Sequence, residues 1–301
     1  MPLSETRGHG ATRNRASTVD GSASAVAEVW VAPAPRRVGR RSPFRALLSG
    51  TPIGTLLPIV AVLTLWEMAS DLNLIDVTFF PAPHTIAIAT WTLALSGEIS
   101  QNLMITLERI LAGFVIGATP AILLGLLMGR IGLFRAVFDP LIAVTYPIPH
   151  IAILPLLLVI FGLGSAPIIA LAAIVCFYPA VVNTYTGVRG ADERLVRMAR
   201  NMGANERQIL WKIVLPDALP SVFAGLRLSI GLALLSTVAG EFVASSTGIG
   251  AQTWLYWQVY QIQNMYGTLV VVVALGFTLS VLMQFGQRRF FGWATATEEV
   301  K

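Results

Sequence analysis

The sequence predicts an all-α integral membrane protein with six transmembrane helices and both termini on the cytoplasmic side. Three observations carry that prediction. Apolar residues are gathered into runs of about 17 to 27, long enough to cross a hydrocarbon core. Charged residues are only 12% of the 301, about half the roughly 25% usual in soluble domains, and mean hydropathy is +0.70. Between the runs, lysine and arginine fall only in alternate connections. A water-soluble enzyme, a disordered chain and a disulfide scaffold are thereby excluded. The single cysteine, Cys176, sits inside an apolar run and allows no intrachain disulfide or thiolate cluster.

Residues 1–45 are small and polar, rich in Ser, Ala, Gly, Pro and Arg, with no apolar period. Such a segment cannot bury a core and reads as a disordered basic cytoplasmic tail. It is not a cleaved signal peptide, since no apolar stretch lies near its start. Residues 46–290 form the membrane domain, with spans expected at 53–69, 103–128, 140–161, 167–187, 219–244 and 267–286, and 291–301 form a second cytoplasmic tail. Inside lie Arg36, Arg37, Arg40, Arg41 and Arg45, then Arg130 and Arg135. They are followed by five arginines and Lys212 between 188 and 218, then Arg288 and Arg289. The outer segments 70–102, 162–166 and 245–266 hold no Lys or Arg. That asymmetry fixes both ends inside, and an odd number of spans would put a basic cluster outside.

Within this frame several segments stand out. The turn Phe79-Phe80-Pro81-Ala82-Pro83 is followed by about 14 apolar residues, 84–97, too short to span; they form a helix either at the membrane interface or packed on the bundle. The second span carries Gly113, Gly117, Ala121, Gly125 and Gly129 at intervals of four, a stripe for close helix approach within one subunit or between two. The third holds Pro147, Pro149 and Pro155. Interior prolines free backbone carbonyls, which membranes tolerate only in protein or beside a water-filled cavity. Thr145, Tyr146, Pro147, Pro149 and His150 are therefore candidates for a pathway wall, although His150 also fits a simple buried hydrogen bond. Arg109 and Glu241, near the outer ends of the second and fifth spans, are expected to pair, because an unpaired charge in lipid is costly; the alternatives are Arg109 as an anion ligand in the cavity or snorkelling to the outer surface. A charge-swapped double mutant should then recover part of what either alanine substitution loses.

The cytoplasmic loop of about 188–218 has the strongest signal. It is amphipathic, breaks at Gly203-Ala204, and is expected to hold a second helix ending near Leu215-Pro216. Met198, Met202, Ile209, Leu210, Trp211 and Ile213 are too apolar for a free surface, so some should bury against a partner. In the outer segment 245–266, Trp254, Trp257 and Tyr260 are uncharged aromatics fit for a partner contact or an interfacial belt.

The pattern Arg197-Met198-Ala199-x3-Gly203-Ala204-x8-Ile213-x-Leu215-Pro216 resembles the "EAA" loop of permease subunits of binding-protein-dependent ABC importers. Arg197 stands in place of the usual Glu and Met198 in place of the usual Ala. Thr106-Leu107-x-Arg109, Pro147-Ile148-Pro149-x2-Ala152, Phe161-Gly162-Leu163-Gly164 and Glu241-x5-Thr247-Gly248-Ile249-Gly250 are similar to the nitrate, sulfonate, taurine and bicarbonate group, over roughly 55–290. The resemblance implies a type I importer-like permease fold in the bacterial plasma membrane, working as a homodimer. It implies two cytoplasmic ATPase subunits, engaged through Arg197, Met198, Ala199, Met202, Gly203, Ala204, Ile213, Leu215 and Pro216. It also implies an external binding protein delivering a small oxyanion-type solute.

Other readings are weaker. The chain has no GxxxxGK[ST], so no cofactor is expected and ATP-Mg would be held by the partner subunit. His9, His84 and His150 are too scattered for a zinc site, and the spans hold no catalytic constellation, so the subunit is not expected to be an enzyme. The basic residues flank membrane spans, which argues for lipid and against nucleic acid. A permease for another small solute, such as a thiamine precursor, is the alternative. A stand-alone secondary transporter would need a filter loop, an inverted repeat or a proton relay.

Overall fold

A computed structural model describes residues 52–290. The tails at 1–45 and 291–301, and the arginines of the first, lie outside the described residues. The chain divides into two compact units, 1–59 and 60–301, and the second holds nearly all of the described helices. The helix that leads into it, α1 (Pro52–Asp71), carries the first apolar run.

The regular elements among the described residues are all helices, without a strand. After α2 (Pro83–Leu95) come α3 (Glu98–Arg130) and α4 (Gly132–Thr145), then a 3-10 turn (His150–Ile153) leading into α5 (Leu154–Phe161). Next are α6 (Ser165–Arg189), α7 (Glu193–Asn201), α8 (Glu206–Ile209), a π turn (Leu210–Val214) and α9 (Leu215–Ala244). The chain closes with α10 (Ile249–Gln258) and α11 (Ile262–Phe290). Among the described residues, four stretches are long and apolar enough to cross a membrane: Glu98–Arg130, Ser165–Arg189, Glu206–Ala244 and Ile262–Gln287. A fifth arises if the pair α4 and His150–Phe161, bent by 90°, counts as one broken span.

The centre of the unit is α6, packed between α3 and α9. The glycine stripe of α3 faces α6 of the same chain. A Cβ on Gly113 would lie 2.5 Å from Ala172 Cβ, and one on Gly125 would lie 2.6 Å from Thr184 Cβ. Gly117 abuts the Ala173 backbone and Gly129 the Val188 side chain. Lipid supplies little hydrophobic drive between helices, so this close fit is what holds the pair. Cys176 and Ser229 lock α6 to α9: Ser229 Oγ donates to Cys176 O at 2.8 Å.

The structure decides one alternative that the sequence leaves open, corrects one expected helix end and adds a further helix. Residues 84–97 do not merely lie at an interface, because α2 packs on the bundle through buried Ile86, Ala89 and Leu93 while Trp91 and Leu95 stay exposed. The second helix of the 188–218 loop does not end at Leu215-Pro216. It continues without a break from Glu206 to Ala244. The π turn makes this possible, since Leu215 N–H donates back five residues to Leu210 O and the widened turn receives Pro216, which has no N–H. The segment 245–266 is mostly helical, and its Tyr256 is buried against Leu93, Ile99 and Ile249.

Candidate functional site

Three groups of residues have chemistry beyond packing. The first closes one end of the bundle. Thr106 and Arg109 lie one turn apart on α3, so they share a face. Arg109 Nη1 meets Glu241 Oε1 of α9 at 2.7 Å, with the side chains 3% and 0% exposed. Arg109 also donates to Thr247 O at 2.8 Å, to Thr247 Oγ1 at 3.0 Å, and through Nε to Ser165 Oγ at 3.0 Å. The Glu241 carboxylate accepts from Thr106 Oγ1 at 2.9 Å and from Gly250 N–H at 2.9 Å. It thus lies at the amino end of α10, where a negative charge is favoured by the helix dipole. Thr106 Oγ1 in turn accepts from Ile249 N–H at 2.9 Å, and Asn102 Oδ1 accepts from Gly248 N–H at 2.7 Å.

This geometry explains the spacing Glu241-x5-Thr247-Gly248-Ile249-Gly250. Gly248 has φ +103°, and a Cβ there would strike the carboxylate. A Cβ on Gly250 would lie 2.7 Å from Val238 O. Glu108, the neighbouring carboxylate, is exposed on another face of α3. Sequence reasoning finds the ion pair but misses Ser165 and Asn102, because a neutral polar residue near a helix end has no sequence signature of its own.

The second group is the bend between α4 and α5. Pro147 and Pro149 donate no N–H, and the chain turns through 90° across 146–149. Tyr178 of α6 gathers the exposed side of this bend, its ring 5.5 Å from that of Tyr146 and 4.9 Å from that of His150. Buried His150 Nε2 has no hydrogen-bond partner among the described residues. Thr145 turns away, donating to Leu141 O of its own helix at 2.6 Å. Tyr178 is not among the sequence candidates, since nothing in the α6 run sets it apart from a packing aromatic.

The third group lies at the opposite end. α7 stops in a Schellman-type turn: Gly203 has φ +85°, its N–H donates to Arg200 O, and Ala204 N–H donates to Ala199 O, both at 3.0 Å. Asn205 and Gln208 then start α8 with a reciprocal capping box. Val196, Ala199, Ala204 and Leu210 pack inward around buried Ile209 and Val214. Met198, Met202 and Trp211 are 56%, 80% and 61% exposed, so the turn projects an apolar surface. Ile213, Leu215 and Pro216 are half-buried where the π turn joins α9, and Ile213 and Pro216 line a shallow groove with Met198, Met202 and Lys212. Arg197 points outward, 3.6 Å from Glu193. Glu206 bridges Arg200 of α7 at 2.7 Å and Arg130 of α3 at 2.6 Å. Hydrogen bonding from Arg200, aided by the charges of both arginines, holds its carboxyl below the usual carboxylate range.

Trp254, Trp257 and Tyr260 are exposed at the Arg109 end, with Trp254 stacked on Phe242 and Trp257 beside Tyr260. Buried Tyr256 instead donates to Glu98 at 3.0 Å, and burial, helped by that carboxylate, pushes its phenol up to about 12. No group of three or more His, Cys, Asp or Glu suited to a metal occurs among the described residues.

Residues 121–292 match a family described as the inner membrane component of binding-protein-dependent transport systems. The chain is 31% identical to a Bacillus subtilis protein named as the aliphatic sulfonates transport permease SsuC, across 81% of this chain and 88% of that one. It is 29% identical to the taurine transport system permease TauC of Escherichia coli, across 80% and 88%. It is also 29% identical to the riboflavin transport system permease RibX of Chloroflexus aurantiacus, across 80% and 90%. Among solved structures it is similar to an inward-facing MetNI methionine ABC transporter, with a TM-score of 0.51 at 26% identity, across 65% of this chain and 94% of that one.

Proposed function

The chain belongs to the family of inner membrane components of binding-protein-dependent transport systems, and from that premise we propose that it passes a small sulfonate-type oxyanion. It is the permease subunit of an ABC importer, a multi-pass protein of the bacterial plasma membrane and a transport component rather than a catalyst. The relatives named for aliphatic sulfonates and taurine carry the proposal of solute class.

In this reading six helices cross the membrane with both termini in the cytoplasm. The two ends of the bundle support it: Arg130, Arg200 and Arg207 cluster at one, while the segments at the other have no Lys or Arg. Two copies form the pathway, and two ATPase subunits hold ATP-Mg. The exposed Met198, Met202 and Trp211 around Gly203 dock the ATPase, because such an apolar cluster on a polar loop needs a cover. An external binding protein meets the opposite end near Trp254, Trp257 and Tyr260. The test is uptake of ethanesulfonate or taurine into proteoliposomes holding the permease, its ATPase and its binding protein. Uptake that persists with an ATPase-dead partner would overturn the reading. Riboflavin or thiamine-precursor uptake without sulfonate uptake would favour the second solute class, which the riboflavin permease relative supports.

The exposed aromatics and the proline bend each give a smaller expected effect. Trp257→Ala with Tyr260→Ala should raise the binding-protein concentration needed for half-maximal ATPase stimulation by about tenfold, because exposed aromatics anchor interfaces, and should leave basal hydrolysis unchanged. Parallel loss of both activities would indicate a folding defect instead. His150→Gln and Tyr146→Phe should each slow uptake several-fold without lowering yield, since the bend needs its prolines more than these side chains. Native uptake in both, measured at several pH values, would remove them from the route.

A further inference from the structure

Arg227 lies on α9, and among the described residues it makes no ion pair or hydrogen bond and is exposed. Its depth can be read from the packing of α9 on α6. Two residues before it, a Cβ on Gly225 would lie 2.8 Å from Pro179 O; two residues after it, Ser229 Oγ donates to Cys176 O at 2.8 Å. Arg227 is therefore level with residues 176–179, the middle of the 25-residue α6. At 1.5 Å per residue it stands about 18 Å from Leu215 and about 25 Å from Ala244, beyond the reach of its side chain to either end. Its helix face carries Ala224, Leu228, Gly231 and Leu235, all exposed and none acidic.

A guanidinium at this depth cannot face hydrocarbon cheaply, and ionisable residues within spans face a protein interior or a water-filled cavity. The level it occupies is also that of Tyr178, whose ring contacts Tyr146 and His150 at the proline bend. The 3-10 turn that carries His150 also touches α9. By contrast, Arg109 has its guanidinium fully engaged by Glu241, Thr247 and Ser165 and has nothing left for a passing anion.

We propose that Arg227 is an anion-binding residue of the translocation pathway, facing the aqueous space between two copies and pairing in transit with the oxygens of a sulfonate-type solute. A planar guanidinium can engage two oxygens of such a group at once, and no acidic residue on its face competes. The inference rests on the oxyanion reading above and adds to it the group that recognises the charge midway across the membrane.

The test places a cysteine at the position, Arg227→Cys, with buried Cys176 as the unreactive baseline. Reconstituted with ATPase and binding protein, this variant should import ethanesulfonate at least about tenfold more slowly, for want of the charge-assisted contact, while binding-protein-stimulated ATP hydrolysis persists. Two water-soluble thiol reagents should both react with it. The 2-aminoethyl methanethiosulfonate, which restores a positive charge, should recover import, and the 2-sulfonatoethyl reagent should not. Native import by Arg227→Cys, failure of both reagents to react, or equal import after either would overturn the assignment. Should the cysteine variant fail to assemble, Arg227→Lys and Arg227→Gln decide: import kept in the first and lost in the second is expected, and equal import in both overturns it. If the native protein imports no sulfonate at all, the oxyanion reading falls and this inference with it. Native import with an indifferent Arg227 defeats this inference alone.

Discussion

Arg109→Ala and Glu241→Ala should each leave little assembled protein in the membrane. Either change strands a buried charge, a defect that typically costs about 3–5 kcal/mol, comparable to the stability of many domains. The structure also revises what a swap should do. Considered only as two opposite charges, Arg109→Glu with Glu241→Arg should recover part of the loss. But position 241 faces donors, Gly250 N–H and the Thr106 hydroxyl, and lies at the positive end of α10. An arginine there would meet like partial charge and, between Gly248 and Gly250, no room. The swap should therefore be no better than either single change. Glu241→Gln, which keeps the shape and an acceptor oxygen, should be the mildest of the set. Membrane-extracted yield and thermal stability measure the series, and recovery by the swap would mean that the charges act as a bare pair.

Gly203→Val should uncouple the importer. Gly203 has φ +85° with open space around it, so a side chain would not clash there; the conformation itself is what valine resists. A β-branched residue held in the left-handed region is strained by about 1–3 kcal/mol, enough to unwind the Schellman turn that ends α7. Met198 and Met202 would then lose their common direction. Uptake should fall by about an order of magnitude or more at that strain, while each ATPase subunit keeps its intrinsic hydrolysis. Gly203→Asn, which tolerates positive φ, should retain most of the coupling. Native uptake in Gly203→Val would mean that the turn is not the docking element.

The parts that the sequence made legible are those written in charge and in backbone chemistry. Pro147 and Pro149 announce a break because they lack an N–H, and Gly203 announces a turn because it tolerates positive φ. Arg109 and Glu241 stand out because charge is rare in a span. The same signal marks Arg227, yet it is easily passed over when two opposite charges offer a ready pairing and a third has none. The rest depends on distance. That Ser165 completes the arginine's shell, or that Tyr178 gathers the bend, is visible only once α6 lies against α3 and α9. The end of the second helix of the 188–218 loop is misread for a local reason: Pro216 marks a helix stop in an α register and is accommodated in a π register.

The continuous stretch Glu206–Ala244, which includes α9, is joined to α3 near each of its own ends. At one end Glu206, at the start of the continuous 39-residue rod, binds Arg130; at the other, Glu241 of that rod binds Arg109. The rods are about 50 and 58 Å long. Two bars fastened at two points make a frame, in which a tilt of one draws on the other. The two fastenings differ in strength. The exposed pair Arg130–Glu206, screened by water, can slip and re-form, while Arg109–Glu241 is sealed from water. A load reaching this frame beside Gly203 would strain the exposed fastening first and leave the buried pair as its fixed corner.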